Sequence, residues 1–276
     1  QLNGTSTTVG TAANALQTSV TNLSVQNSGD QFLLELDGLA NINLNATTGN
    51  IELTLLDGSL QDGDLAADVT GNSARIILAD SNDSGDAVGT ATNPLQTSVN
   101  SLTVFTDAGS SDGAQFLEEI NGLTALEINA GSALIRLTLL QGNLEDADAD
   151  DDIITTGITL TLNSSGSFAG TSGNLINTNV DSLTVTTNNG SQFFRERSGI
   201  DAVNMIAGSG AITLVLTEGA LSDVDGDIDF TGGAATIVLE DANDSGDDVG
   251  STNNAIRTSV DSLTVTTSAG STYGNQ

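Results

Sequence analysis

The residues in this chain best suited to chemistry are aspartates set at alternate positions in short turns. Asp62-Gly-Asp64, Asp146-Ala-Asp148-Ala-Asp150-Asp151-Asp152 and Asp223-Val-Asp225-Gly-Asp227-Ile-Asp229 each place carboxylates two residues apart. Such oxygens can converge on one hard cation, and Ca2+ takes about 6–8 oxygen ligands at about 2.3–2.6 Å. Asp62, Asp64, Asp146, Asp148, Asp150, Asp223, Asp225, Asp227 and Asp229 are therefore the candidate metal ligands, with Ca2+ as the candidate ion. The 223–229 stretch is the fullest set. None of these turns matches the EF-hand loop or the glycine-rich calcium nonapeptide. The competing reading is that they are solvated turns that keep an acidic chain in solution.

Two other acidic patterns carry less. Asp80, Asn82, Asp83 and Asp86 recur as Asp241, Asn243, Asp244 and Asp247, but the intervening copy, NSSGSF from Asn163, holds no carboxylate. Glu35, Glu119 and Glu196 recur in a QFxxE segment. Paired acids can hydrolyse glycosides when they stand about 5–10 Å apart in a cleft. An expected separation of four coils, roughly 19 Å at strand spacing, breaks that pairing. The glutamates are read as single outward acids, and no catalytic residue is assigned.

Composition removes most other chemistry. The 276 residues include no His and no Cys, so thiol and Ser-His nucleophiles, disulfides and zinc, haem or iron–sulfur ligand sets are excluded. Lys and Arg together number 5 against 36 Asp and Glu, a net charge of −31. That field repels phosphate backbones and anionic lipid, so neither nucleic-acid binding nor membrane insertion is expected. Arg195-Glu196-Arg197 is the only cation cluster in the sequence. It reads as a local complement to nearby acids, on this chain or on a neighbouring subunit.

What must position these groups is a repeat. NALQTSVTNLSV from Asn14 returns as NPLQTSVNSLTV from Asn93, NLINTNVDSLTV from Asn174 and NAIRTSVDSLTV from Asn254. The aligned Val20, Val99, Val180 and Val260 lie 79, 81 and 80 residues apart. The units are 14–92, 93–173 and 174–253, with a partial fourth at 254–276, as expected of a segment of something longer. Within each unit, runs such as SLTVT, NINLN and NIELTL alternate apolar and polar residues with period two, the pattern of half-buried strands. Gly, Asn, Asp and Ser interrupt them at turns. Like strands recur at offsets near 20, and eight aromatics are too few for propeller blades.

The expected architecture is all-β: a right-handed parallel β-helix (β-solenoid), continuous over 1–276, with coils of about 20 residues, four to each 80-residue super-repeat and about fourteen in all. Val20, Leu23, Val25, Phe32, Ile42, Leu44, Ile51, Leu53, Leu55, Ile76 and Leu78 are the expected core. The handedness is supplied by a resemblance. NPLQTSVNSLTV, preceded by DSGDAVGTAT and followed by LEINAGSALIRLTLLQGNLED, resembles the repeats of large bacterial surface proteins of the filamentous-haemagglutinin type. The resemblance implies a long protein secreted by a bacterium, located outside the cell or on its surface, and acting as an adhesin shaft or extracellular filament.

The family offers no catalytic residues, and an enzyme is not expected. Self-association, as homopolymer or bundled fibre, is the expected partnership, since unprotected coil ends expose strand edges. Surface glycans of a host or neighbouring cell are the alternative partner. The alternative functions are a calcium-dependent carbohydrate- or cell-binding module and, more distantly, a polysaccharide-degrading β-helix enzyme.

Overall fold

The computed structural model describes residues 2–3, 7–64, 66–79, 85–107, 112–146, 148, 150–240 and 248–267. Most of the second acidic block, at 80–83 and 241–247, lies outside them. The fold is all-β and parallel, and the chain is a β-solenoid repeat protein. It forms two compact units, residues 1–140 and 141–276.

The first unit holds β1 (Leu2–Asn3), β2 (Leu16–Thr18), β3 (Asn22–Gln26), β4 (Gln31–Glu35), β5 (Asn41–Asn45), β6 (Asn50–Leu55) and β7 (Val69–Thr70). It continues with β8 (Ser73–Leu78), β9 (Leu95–Ser98), β10 (Ser101–Phe105), β11 (Gln115–Glu119), β12 (Ala125–Asn129) and β13 (Leu134–Leu139). Successive strands alternate between two parallel ladders. One runs β1, β3, β5, β7, β9, β11, β13, and the other β2, β4, β6, β8, β10, β12. Leu39, Leu60 and Val88 are parallel bridges on a further, shorter side.

The second unit holds β14 (Ile153–Leu162), β15 (Ile176–Thr187), β16 (Gln192–Glu196), β17 (Ala202–Ile206), β18 (Ala211–Leu216), β19 (Phe230–Leu239) and β20 (Thr258–Thr266). Here β14, β15, β19 and β20 are long enough to serve both ladders.

The register corrects the coil arithmetic. Leu53 pairs with Ile76, an offset of 23, and the offsets run from 17, at Leu16 with Leu33, to 28, at Ile76 with Val104. Coils average about 23 residues, not about 20. An 80-residue repeat therefore spans three and a half coils, and successive copies land on opposite ladders. In the first unit, β3 and its counterpart β10 lie on different ladders, as do β4 and its counterpart β11. In the second, Ile153 pairs toward Thr178 and Glu196, whereas its counterpart Phe230 pairs toward Met205.

The core is the stack of inward residues from each strand. Leu23, Val25, Ile42, Leu44, Ile51, Leu53, Leu55, Ile76 and Leu78 are buried as expected. Val20 and Phe32 are not: Val20 is exposed, and Phe32 is half-buried. A strand turns alternate residues to opposite faces, and in β4 the inward set is Gln31, Leu33 and Glu35. Phe32 must then face out, as does Phe116, which lies under the Arg136 guanidinium at 5.9 Å.

One corner repeats with the 80-residue period. Gly10, Gly89, Gly170 and Gly250 all have φ between +66° and +68°, where a side chain is strained. Each is followed by a turn closed by a hydroxyl that accepts a backbone N–H, as where Asn174 donates to Thr171 at 3.1 Å and Asn93 to Thr90 at 3.0 Å.

Candidate metal centre

Each acidic turn is clamped at both ends by the core. The first follows Leu60 and runs into Val69, the second follows Leu144 and runs into Ile153, and the third follows Leu221 and runs into Phe230. All six clamping residues are 0 % exposed. The aspartate just before each strand is pulled inward with it: Asp68, Asp152 and Asp229 are 2, 1 and 1 % exposed. Each accepts a backbone N–H from the neighbouring coil. The donors are Gln96 at 2.8 Å, Asn177 at 2.6 Å and Arg257 at 2.6 Å.

Three aspartates converge in every copy. Asp62, Asp64 and Asp68 each offer an oxygen, all within 4.8 Å of one another, and Asp146, Asp148, Asp152 and Asp223, Asp225, Asp229 do the same. The acidic-turn pattern thus identified all three members of the third triad and two members of each of the others. Asp68 and Asp152 were not among the candidate ligands, although Asp152 closes the second acidic run and Asp229 stands at the same six-residue offset. Asp150 and Asp227 stay outside the triads, exposed to solvent. Their backbone N–H groups serve instead, donating to Asp148 at 3.0 Å and Asp225 at 2.7 Å and so tying each turn.

Gathering carboxylates inside a coil edge makes their ionisation unfavourable. Burial pushes Asp68 up to about 8, against the Gln96 N–H and with help from the adjoining Asp62. Burial raises Asp152 to about 8 too, with Asp146 adding to the effect beyond the opposing Asn177 N–H. Asp223 and Asp229 are also raised, first by burial, with the charge of Asp225 contributing to both. Such triads need a proton or a cation to balance them.

The copies differ in how their first aspartate is satisfied. Asp62 Oδ2 accepts the Asp64 N–H at 3.0 Å and the Asn93 amide at 3.3 Å. Asp146 Oδ2 accepts the Asp148 N–H at 3.0 Å. Asp223 is 1 % exposed, and neither of its oxygens has a partner in good hydrogen-bond geometry, although the Asp225 and Val224 N–H groups lie near enough to oppose the rise in its pKa.

The glutamates of the QFxxE strands overturn their outward assignment. Glu35, Glu119 and Glu196 are all 0 % exposed, because the period-two alternation that turns Gln31 and Leu33 inward carries the acid in with them. Each takes a threonine hydroxyl from the neighbouring coil: Thr18 at 2.5 Å, Thr97 at 2.6 Å and Thr178 at 2.6 Å. Each also accepts the backbone N–H two residues further on, from Asp37, Asn121 and Ser198. Burial raises Glu119 and Glu196 to about 7 against these donors. The expected four-coil separation is replaced as well: in the first unit Glu35 and Glu119 lie on different ladders.

The arginine cluster is divided by the same alternation. Glu196 points in, while Arg195 pairs with Glu240 at 3.2 Å and Arg197 with Asp151 at 2.7 Å. Both partners belong to this chain.

No protein-family model matches the chain, and neither a curated protein nor a solved structure matches it.

Proposed function

We propose that this solenoid is a structural element outside the cell, the shaft of a surface adhesin or the subunit of an extracellular filament. The observation that carries the reading is the strand ladder itself. Its backbone bonds run from coil to coil within each unit, and the last described strand, β20, is paired on one side only among the described residues. Leu263 on β20 is 47 % exposed. An unpaired edge of this kind is a template for a further strand, supplied by more of the same chain or by a second copy.

A net charge of −31 repels further copies, so association has to rest on the backbone bonds of the strand edge. A scaffold also needs no cleft, and the recurring glutamates that might have served hydrolysis are sealed in the interior.

Immunogold electron microscopy of the producing cells tests the proposal. Label on surface fibres or extracellular material is the expected result; label confined to the cell interior overturns it. Sedimentation velocity tests self-association: the chain is expected to form concentration-dependent oligomers that Leu263→Lys disperses. Identical behaviour of the variant and parent oligomers removes β20 as the contact.

A further inference from the structure

We propose that Asp223, Asp225 and Asp229 form a binding site for one divalent cation, with Ca2+ as the ion. Two oxygens bound to one ion at about 2.4 Å stand at most about 4.8 Å apart. The three carboxylates offer oxygens that all lie within 4.8 Å of one another.

The second observation is Asp223. It is 1 % exposed, and both of its oxygens lack a partner in good hydrogen-bond geometry. A buried acceptor without a well-formed bond carries a desolvation penalty. A carboxylate does so more heavily, and a directly bound cation removes that penalty. No protein cation pairs directly with Asp223: the ion pairs among the described residues are Arg195 with Glu240 and Arg197 with Asp151, and the Arg257 charge acts on Asp223 and Asp229 only from a distance. Arg257 sends its guanidinium to the Asp225 carbonyl at 3.4 Å, not to a carboxylate.

The rest of the geometry suits a hard ion. Asp229 is held by the Arg257 N–H through Oδ2, which leaves Oδ1 for a ligand. Asp225 is exposed, so water can enter and complete a shell of about 6–8 oxygens. With no His or Cys in the chain, the donors are all oxygen, which favours Ca2+ over zinc or copper. The first two triads are weaker candidates, because protein N–H groups already occupy Asp62 and Asp146.

The test is isothermal titration of the whole chain with Ca2+ alone, in parallel with thermal unfolding at matched ionic strength in NaCl. One saturable site is expected, with a rise in Tm that NaCl does not reproduce. Asp225→Asn, at an exposed position, and Asp223→Asn are each expected to weaken binding at least tenfold, while Asp64→Asn leaves that site unchanged. The proposal is overturned by absence of saturable binding, or by a site that Asp225→Asn leaves intact. If Asp223→Asn fails to fold, Asp225→Asn decides alone.

Discussion

The Thr178 hydroxyl donates to the Glu196 carboxylate at 2.6 Å across adjacent coils, and both residues are 0 % exposed. The pair is a polar rivet inside an otherwise aliphatic stack. Removing the donor leaves a buried carboxylate short of one bond. Thr178→Val is expected to destabilise the fold by about 1–3 kcal/mol, read by urea unfolding. Thr178→Ser keeps the hydroxyl and should recover most of that loss.

The same acids make stability depend on pH. Glu119 and Glu196 are raised to about 7 in the folded chain, from an ordinary value of 4.5. Between those values the native state holds a proton that the unfolded state has lost, so stability falls as pH rises. The contribution is complete below about 4.5 and gone above about 7, and amounts to up to about 3 kcal/mol for each residue. Urea midpoints measured from pH 4 to 8 should therefore decline more steeply in the parent than in the Glu119→Gln, Glu196→Gln double variant. Equal slopes would show that these two groups do not titrate as described.

Coil stacking predicts a sharp contrast between inward and outward leucines. Leu214 is 0 % exposed in β18, and Leu214→Ala is expected to cost about 2–5 kcal/mol through lost burial and a residual cavity. Leu134, in β13, is 61 % exposed, and Leu134→Ala should stay within about 0.5 kcal/mol of the parent. Denaturant titration of the two variants checks the difference.

Two glycines three residues apart should behave oppositely. Gly170 has φ +67°, and a Cβ there would run into the Phe193 carbonyl oxygen and sit 3.2 Å from the Asn174 oxygen. Gly170→Ala is expected to lose about 1–3 kcal/mol or more. Gly173 has nothing within 4 Å of an added Cβ, so Gly173→Ala should be neutral or slightly stabilising. Thermal unfolding separates the two outcomes.

The repeat, the all-β parallel solenoid and nine of eleven expected core residues were legible in the chain, because period-two alternation and recurring turn residues are local signals. The misplaced Phe32 and Glu35 share one cause. Hydrophobicity assigns Phe inside and Glu outside, but a strand has only one parity, and Leu33 took the inner position. For the acidic turns, the candidate ligands included Asp223, Asp225 and Asp229 but not Asp68 or Asp152. Those two are brought in by the strand that follows them, not by their neighbours in the turn.

The sequence alone determined that the chain coils, where it turns and that its charge stays negative, since composition and periodicity need no knowledge of what packs on what. Tertiary structure decided the coil length of about 23 residues, and with it the half-turn offset that sends successive copies to opposite ladders. It also decided which acids are sealed from water. The physical reason is that register is set by which side chains stack between coils, and a shift of one residue inverts every face.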